Sequence, residues 1–144
     1  MDKIASIGGL LKKNYRVYAS ILLEKLMLKG HVDLRPSFLE ILMFLTEQEA
    51  SSIKEIGRSI DLKKQTMTSH LNELEKRGYI ERHQANDKRE QRITLSSYGE
   101  KFRIHLNQAV EELNLELEKE IGATQLEKLD FLLGSLFTKI KQLP

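Results

Sequence analysis

The sequence predicts a mainly α-helical chain with one small β-hairpin. Three observations predict it. Apolar residues recur at spacings of three and four through both ends of the chain. Two shorter helical patterns stand back to back in the middle, with start and stop signals of their own. Directly after them, two runs alternating apolar and polar residues flank a strongly charged turn.

The elements follow in order. Over residues 4–28, Leu11, Tyr15, Tyr18, Leu22 and Leu26 form one helical stripe. Ile7, Leu10, Val17, Ile21 and Leu28 form a second, so much of this helix is expected to be covered. The stretch "GHVDLRP" breaks it. Pro36 suits the first turn of a new helix that runs to near Glu49. Ser52, followed three residues later by Glu55, is a capping box opening a short helix with Ile53, Ile56 and Ile60 on its inner face. After "DL" the pattern restarts in "KKQTMTSHLNELEKRG", with Met67, Leu71 and Leu74 as the buried stripe and Gly78 as the stop. "YIERHQ" and "QRITLS" read as strands, with Ile93 and Leu95 alternating with Arg92, Thr94 and Ser96. The last third is helical, with stripes at Phe102, Leu106, Ala109, Leu113, Leu117 and, after Gly122-Ala123, at Leu126, Leu129, Leu133, Leu136, Ile140.

Composition narrows the function. The 144 residues suffice for one domain, or for one domain with an extension. There is no cysteine, which excludes disulfides, thiolate metal sites and thiol redox switching. No run of about 18 apolar residues appears, and the N-terminus does not read as a signal peptide, so a cytoplasmic protein with no membrane partner is expected. The net charge of +2 is uneven: residues 51–103 carry 12 Lys+Arg against 8 Asp+Glu, whereas residues 104–144 carry 4 against 7. An electropositive middle third points to a polyanionic partner.

Two short helices followed at once by a two-stranded hairpin describe a winged helix-turn-helix. On the second short helix, Met67, Leu71 and Leu74 fall within about 60° of one another at 100° per residue. Gln65, Ser69 and Asn72 lie nearly opposite, Thr66 and Thr68 flank them, and Lys63 and Lys64 stand at the helix start. Asn and Gln bond adenine bidentately, Ser and Thr bond base edges or phosphates, and lysines at a helix N-terminus favour phosphate. An ordinary solvated face carries more Glu/Lys pairs, as residues 73–77 do. Lys88, Arg89 and Arg92 crowd the hairpin, with Asp87 placed to hold the Arg89 guanidinium.

From "LKKQTMTSHLNELEKRGYIERHQANDKREQRITLSSYGEKF", and by helix order through nearly the whole chain, the sequence resembles the MarR family of winged-helix transcription regulators. Thr66 and Thr68, Leu74-Glu75-Lys76-Arg77-Gly78, "YIER", the wing pair Asp87 and Arg89, and Leu95-Ser96 with Gly99 carry the match. The resemblance implies a wing arginine, Arg89, that enters the minor groove and is oriented by Asp87. It also implies a homodimer, formed through the terminal helices, that represses from a pseudo-palindromic operator in double-stranded DNA, with a small-molecule effector as a candidate partner. The chain departs from the family at Lys63-Lys64, where many members start the helix with Ser-Pro, and at Ser69, where many carry arginine. The second departure removes a common guanine contact.

Residues 31–99 are thus expected to form the DNA-binding region of a single chain of residues 1–144. Residues 1–30 and 100–144 are expected to be dimerisation helices, with Phe102, Leu106, Leu129, Leu133 and Leu136 covered in the dimer. Tyr15, Tyr18, Phe38, Met43 and Phe44 are candidates to line a ligand cavity, although plain core accounts for them as well. The histidines, His31, His70, His83 and His105, have no metal-ligand spacing, no cofactor motif is present, and no nucleophile or phosphate-loop signature points to an enzyme. A winged-helix module that binds another protein, without specific DNA binding, is the alternative. It would lack the wing-arginine contact and salt-dependent duplex binding.

Overall fold

A computed structural model of the chain describes residues 3–84 and 90–144. The elements in order are α1 (Lys3–Leu28), α2 (Pro36–Glu47), β1 (Ser51–Ser52), α3 (Ile53–Ser59), α4 (Lys64–Lys76), β2 (Ile80–Gln84), β3 (Gln91–Leu95), α5 (Ser97–Ile121) and α6 (Ala123–Ile140). The architecture is the mainly helical winged helix-turn-helix that the periodicity predicts. The chain divides into two compact units, Met1–Asn107 and Gln108–Pro144.

In the first unit the core is built on α2, which buries Phe38, Leu39, Ile41, Leu42 and Leu45. Ile56 of α3, Met67, Leu71 and Leu74 of α4, and Ile80 and Ile93 of the hairpin are also buried. Burial of each such side chain contributes roughly 1.5–3 kcal/mol of transfer free energy. The helix ends carry their own chemistry. Ser52 caps α3 by accepting a 3.1 Å hydrogen bond from the Glu55 amide, an arrangement worth about 1 kcal/mol. After α4 the Gly78 amide donates to the Glu75 carbonyl and the Tyr79 amide to the Leu74 carbonyl, the two bonds of a Schellman stop. Gly78 makes this possible with φ +89°.

The structure differs from the sequence reading in four places. Ser51 and Ser52 form a third strand, giving an antiparallel sheet of order β1-β3-β2 with Ser51 opposite Ile93 and Ile80 opposite Leu95. Two residues carry no alternation to detect, so this strand left no pattern. Helix α2 ends at Glu47 rather than near Glu49, because Gln48 is already extended. Phe102 and Leu106, expected to await a partner, are already buried in the chain. The Phe102 ring stands edge-on to His31 and Tyr79, with centroids 5.3 and 5.7 Å away. Finally, α1 buries Ala19, Leu22 and Leu26 but leaves Ile7, Leu10, Leu11, Tyr15 and Val17 exposed.

In the second unit, α6 has no buried residue. Leu129, Phe131, Leu132, Leu133, Leu136 and Phe137 all stand exposed along it. Among the described residues, no helix is long and apolar enough to cross a membrane.

Candidate nucleic-acid interface

Helix α4 presents the face that the angles predicted. Met67, Leu71 and Leu74 are buried, so Gln65, Ser69 and Asn72 point to solvent, with Thr66 and Thr68 half-buried beside them. Lys63 is the extended N-cap residue and Lys64 opens the helix, both exposed. No side chain caps this end. Its free amides and the two ammonium groups therefore face outward together, an arrangement that suits a phosphate.

The neighbouring helix adds charge that the sequence reading missed. Lys54 and Arg58 of α3 are exposed and, with Lys64, Met67, Thr68 and Gln91, line an open depression of about 750 Å³. Their i, i+4 spacing on the polar side of α3 was the available signal. Both sit on α3, which buries Ile56 as α4 buries Met67, so the position of α3 relative to α4 follows from that packing.

At the hairpin, Asp87, Lys88 and Arg89 lie outside the described residues. Arg92 on β3 is paired: its Nη1 donates to Glu55 Oε1 at 2.8 Å, and its Nη2 lies 3.8 Å from Glu90 Oε2. Desolvation raises the Glu55 carboxyl pKa, but the hydrogen bonds from Arg92 and Ser52 outweigh it and leave the group below its ordinary value. Arg92 thus fastens the wing strand to the capping box of α3, a tie that sequence spacing cannot show.

Arg82 on β2 is the other residue the sequence reading passed over. Its Nη2 donates to Asn72 Oδ1 and its Nη1 to Gln91 Oε1 at 3.3 Å. Its Nε lies 3.3 Å from Glu75 Oε1, an ion pair whose angle falls outside that of a hydrogen bond. One guanidinium therefore ties the outward polar face of α4 to both hairpin strands.

The candidate ligand residues divide. Tyr15, Met43 and Phe44 line an open groove of about 580 Å³ together with Glu40, Glu47, Ser59, Ile60 and Asp61. Burial pushes the Tyr15 hydroxyl up to about 12, and the Glu40 carboxylate bonded to it adds to the rise. Burial also raises Tyr18, which is not among the residues lining the groove. Phe38 has no accessible surface: His70 meets it edge-on, and the Arg35 and Arg77 guanidinium carbons stand 4.4 and 5.0 Å from its ring centre. It is core. Among the described residues no group of three or more His, Asp or Glu is arranged to hold a metal ion.

Comparison with known proteins matches this fold. The MarR family model matches residues 34–91, which span α2 through the start of β3. The HTH-type transcriptional regulator SarZ of Staphylococcus haemolyticus is 32% identical over 110 residues, covering 76% of this chain and 71% of that protein. Among solved structures, a MarR transcriptional regulator from Methanosarcina mazei superposes with TM-score 0.81 at 19% identity, covering 96% of this chain and 99% of the other. Wild-type apo MarR from Escherichia coli superposes with TM-score 0.74 at 23% identity, covering 90% and 94%.

Proposed function

This chain belongs to the MarR family of winged-helix transcription regulators, and on that footing we propose that it is a homodimeric repressor of a pseudo-palindromic operator. Helix α4 enters the major groove and the hairpin wing the adjacent minor groove. The observation that carries this is the exposed, uncharged polar face Gln65, Ser69, Asn72 on a helix whose N-terminal end is ringed by Lys54, Arg58, Lys63 and Lys64. Uncharged amides and hydroxyls discriminate base edges, and the surrounding cations supply sequence-independent attraction to phosphates. Residues 31–99 serve as the DNA-binding region. The exposed apolar faces in residues 1–30 and 100–144 support dimerisation, which sets two recognition helices about one DNA turn apart. Asp87, Lys88 and Arg89 take the wing role that the family resemblance implies. The groove lined by Tyr15, Met43 and Phe44 is the place offered to a releasing effector.

The test is a titration of duplex DNA at several salt concentrations, using the promoter next to the protein's own gene and a random duplex of equal length. Wild type binds the promoter more tightly, with a steep salt dependence. Arg89→Ala weakens promoter binding and flattens the slope of log K against log salt by about one unit, as one lost ionic contact requires. Duplex binding that is absent, or indifferent to salt, overturns the proposal in favour of a protein-binding module.

A further inference from the structure

Asn72 and Arg82 form a pair whose chemistry admits one orientation only. A guanidinium carries five N–H donors and no acceptor. The Asn72 atom facing Arg82 Nη2 is therefore the carbonyl oxygen, and the amide cannot flip without losing the bond. Arg82 is itself held on its other sides by Gln91 Oε1 at 3.3 Å and Glu75 Oε1 at 3.3 Å, and its side chain is only 19% exposed. Asn72, by contrast, stands in solvent on the same face as Gln65 and Ser69. The result is an exposed amide whose oxygen is turned toward β2 and whose NH2 is turned away from it.

This bears on base choice. A free asparagine reads adenine with both ends of its amide, accepting from N6 and donating to N7. With Oδ1 engaged by a charged donor, the amide offers its two N–H groups to the groove, and the charge-assisted bond polarises them further. Resting on the reading of α4 as the groove helix, we propose that Arg82 is a specificity-determining positioning residue. It sets Asn72 as a hydrogen-bond donor, so that Asn72 selects an acceptor edge, guanine N7/O6 or thymine O4, over adenine. Arg82 acts through Asn72 and touches no base itself. The same contact couples the wing to the recognition helix, so a displaced wing strand releases the amide.

The experiment measures base preference position by position, with wild type, Arg82→Met and Asn72→Ala binding duplexes substituted singly across one half-site. Wild type disfavours adenine at one position. Arg82→Met frees the amide and moves the preference at that position toward adenine by about tenfold, the scale of a single base contact. Asn72→Ala removes an exposed side chain, leaves the core intact, and flattens preference at that position alone. Arg82→Met that weakens all duplexes equally with an unaltered profile overturns the inference while the DNA-binding reading stands. Asn72→Ala with a wild-type profile does the same and remains informative even if Arg82→Met unfolds. A wild type with no salt-dependent affinity for any duplex overturns the underlying reading as well.

Discussion

At Gly99 a Cβ would stand 2.2 Å from the Tyr79 carbonyl oxygen and 3.0 Å from Leu95 Cβ. The crowding comes from the way α5 begins. The Ser96 amide donates to the Tyr79 carbonyl at 3.0 Å, and the Ser96 hydroxyl donates to the Gly78 carbonyl while accepting from the Gly99 amide at 3.0 Å. One serine thus caps α5 and binds it to the Schellman stop of α4. Gly99→Ala is expected to destabilise the fold by about 3 kcal/mol, since backbone rather than a mobile side chain must give way. Urea unfolding followed by circular dichroism checks it, and a midpoint equal to wild type would show that α5 shifts without cost. Residue placements were legible in the sequence where they depend on spacing along one helix, as for the outward Gln65 and Ser69 and the buried Met67. Arg82 and Arg92 were not, because their partners Asn72 and Glu55 come from other elements.

Between elements, His31 is the joint. It is buried after the Schellman stop of α1, where its amide donates to the Leu26 carbonyl at 2.9 Å. The Tyr79 hydroxyl donates to Asp33 Oδ1 at 3.0 Å, so its oxygen accepts from His31 Nδ1 at 3.0 Å. That leaves His31 Nε2 to accept from His105 Nδ1 of α5 at 2.8 Å. The α1–α2 loop, the chain leaving α4 and helix α5 are thereby joined by one chain of hydrogen bonds through a neutral imidazole. Burial, with the neighbouring His105, lowers the His31 pKa below 6.5, and the Asp33 carboxylate opposes this only in part. A depressed folded-state pKa means that the unfolded chain binds the proton more readily. The stabilisation is present above 6.5 and is lost as pH falls through the folded value. Melting temperature is therefore expected to drop as pH is lowered from 7.5 to 5. His31→Gln should start lower and fall less steeply, retaining the slope that His70, lowered by burial and Arg35, contributes in the same direction. Parallel pH profiles for the two proteins would place the dependence elsewhere. His31 was visible in the sequence only as a histidine without ligand spacing.

On the scale of the molecule, apolar side chains without cover dominate both ends. Helix α6 has none of its residues buried, and Phe131, Leu132 and Phe137 are more than half exposed. Faces of this kind mark association surfaces in folded proteins. Sedimentation equilibrium at micromolar concentration is expected to show a species of twice 16.7 kDa. Phe131→Glu combined with Leu132→Glu should return it to a single chain and, with it, weaken duplex binding through loss of the second half-site. A wild-type monomer would remove both the dimer and the operator symmetry proposed from it.

The sequence by itself determined the helices, the hairpin, the inward stripe of α4 and hence its outward polar face, because each of these depends on a local period of 3.6 or 2 residues. It also carried the family, through residues spread across α4 and the wing. The tertiary structure alone decided that Ser51-Ser52 pairs as a strand, that Phe38 and Phe102 are core, that Arg92 clamps α3 and that Arg82 hydrogen-bonds Asn72. Each of these depends on which side chains from distant segments meet, and a contact across 37 residues (Glu55 to Arg92) leaves no periodic trace in the chain that makes it.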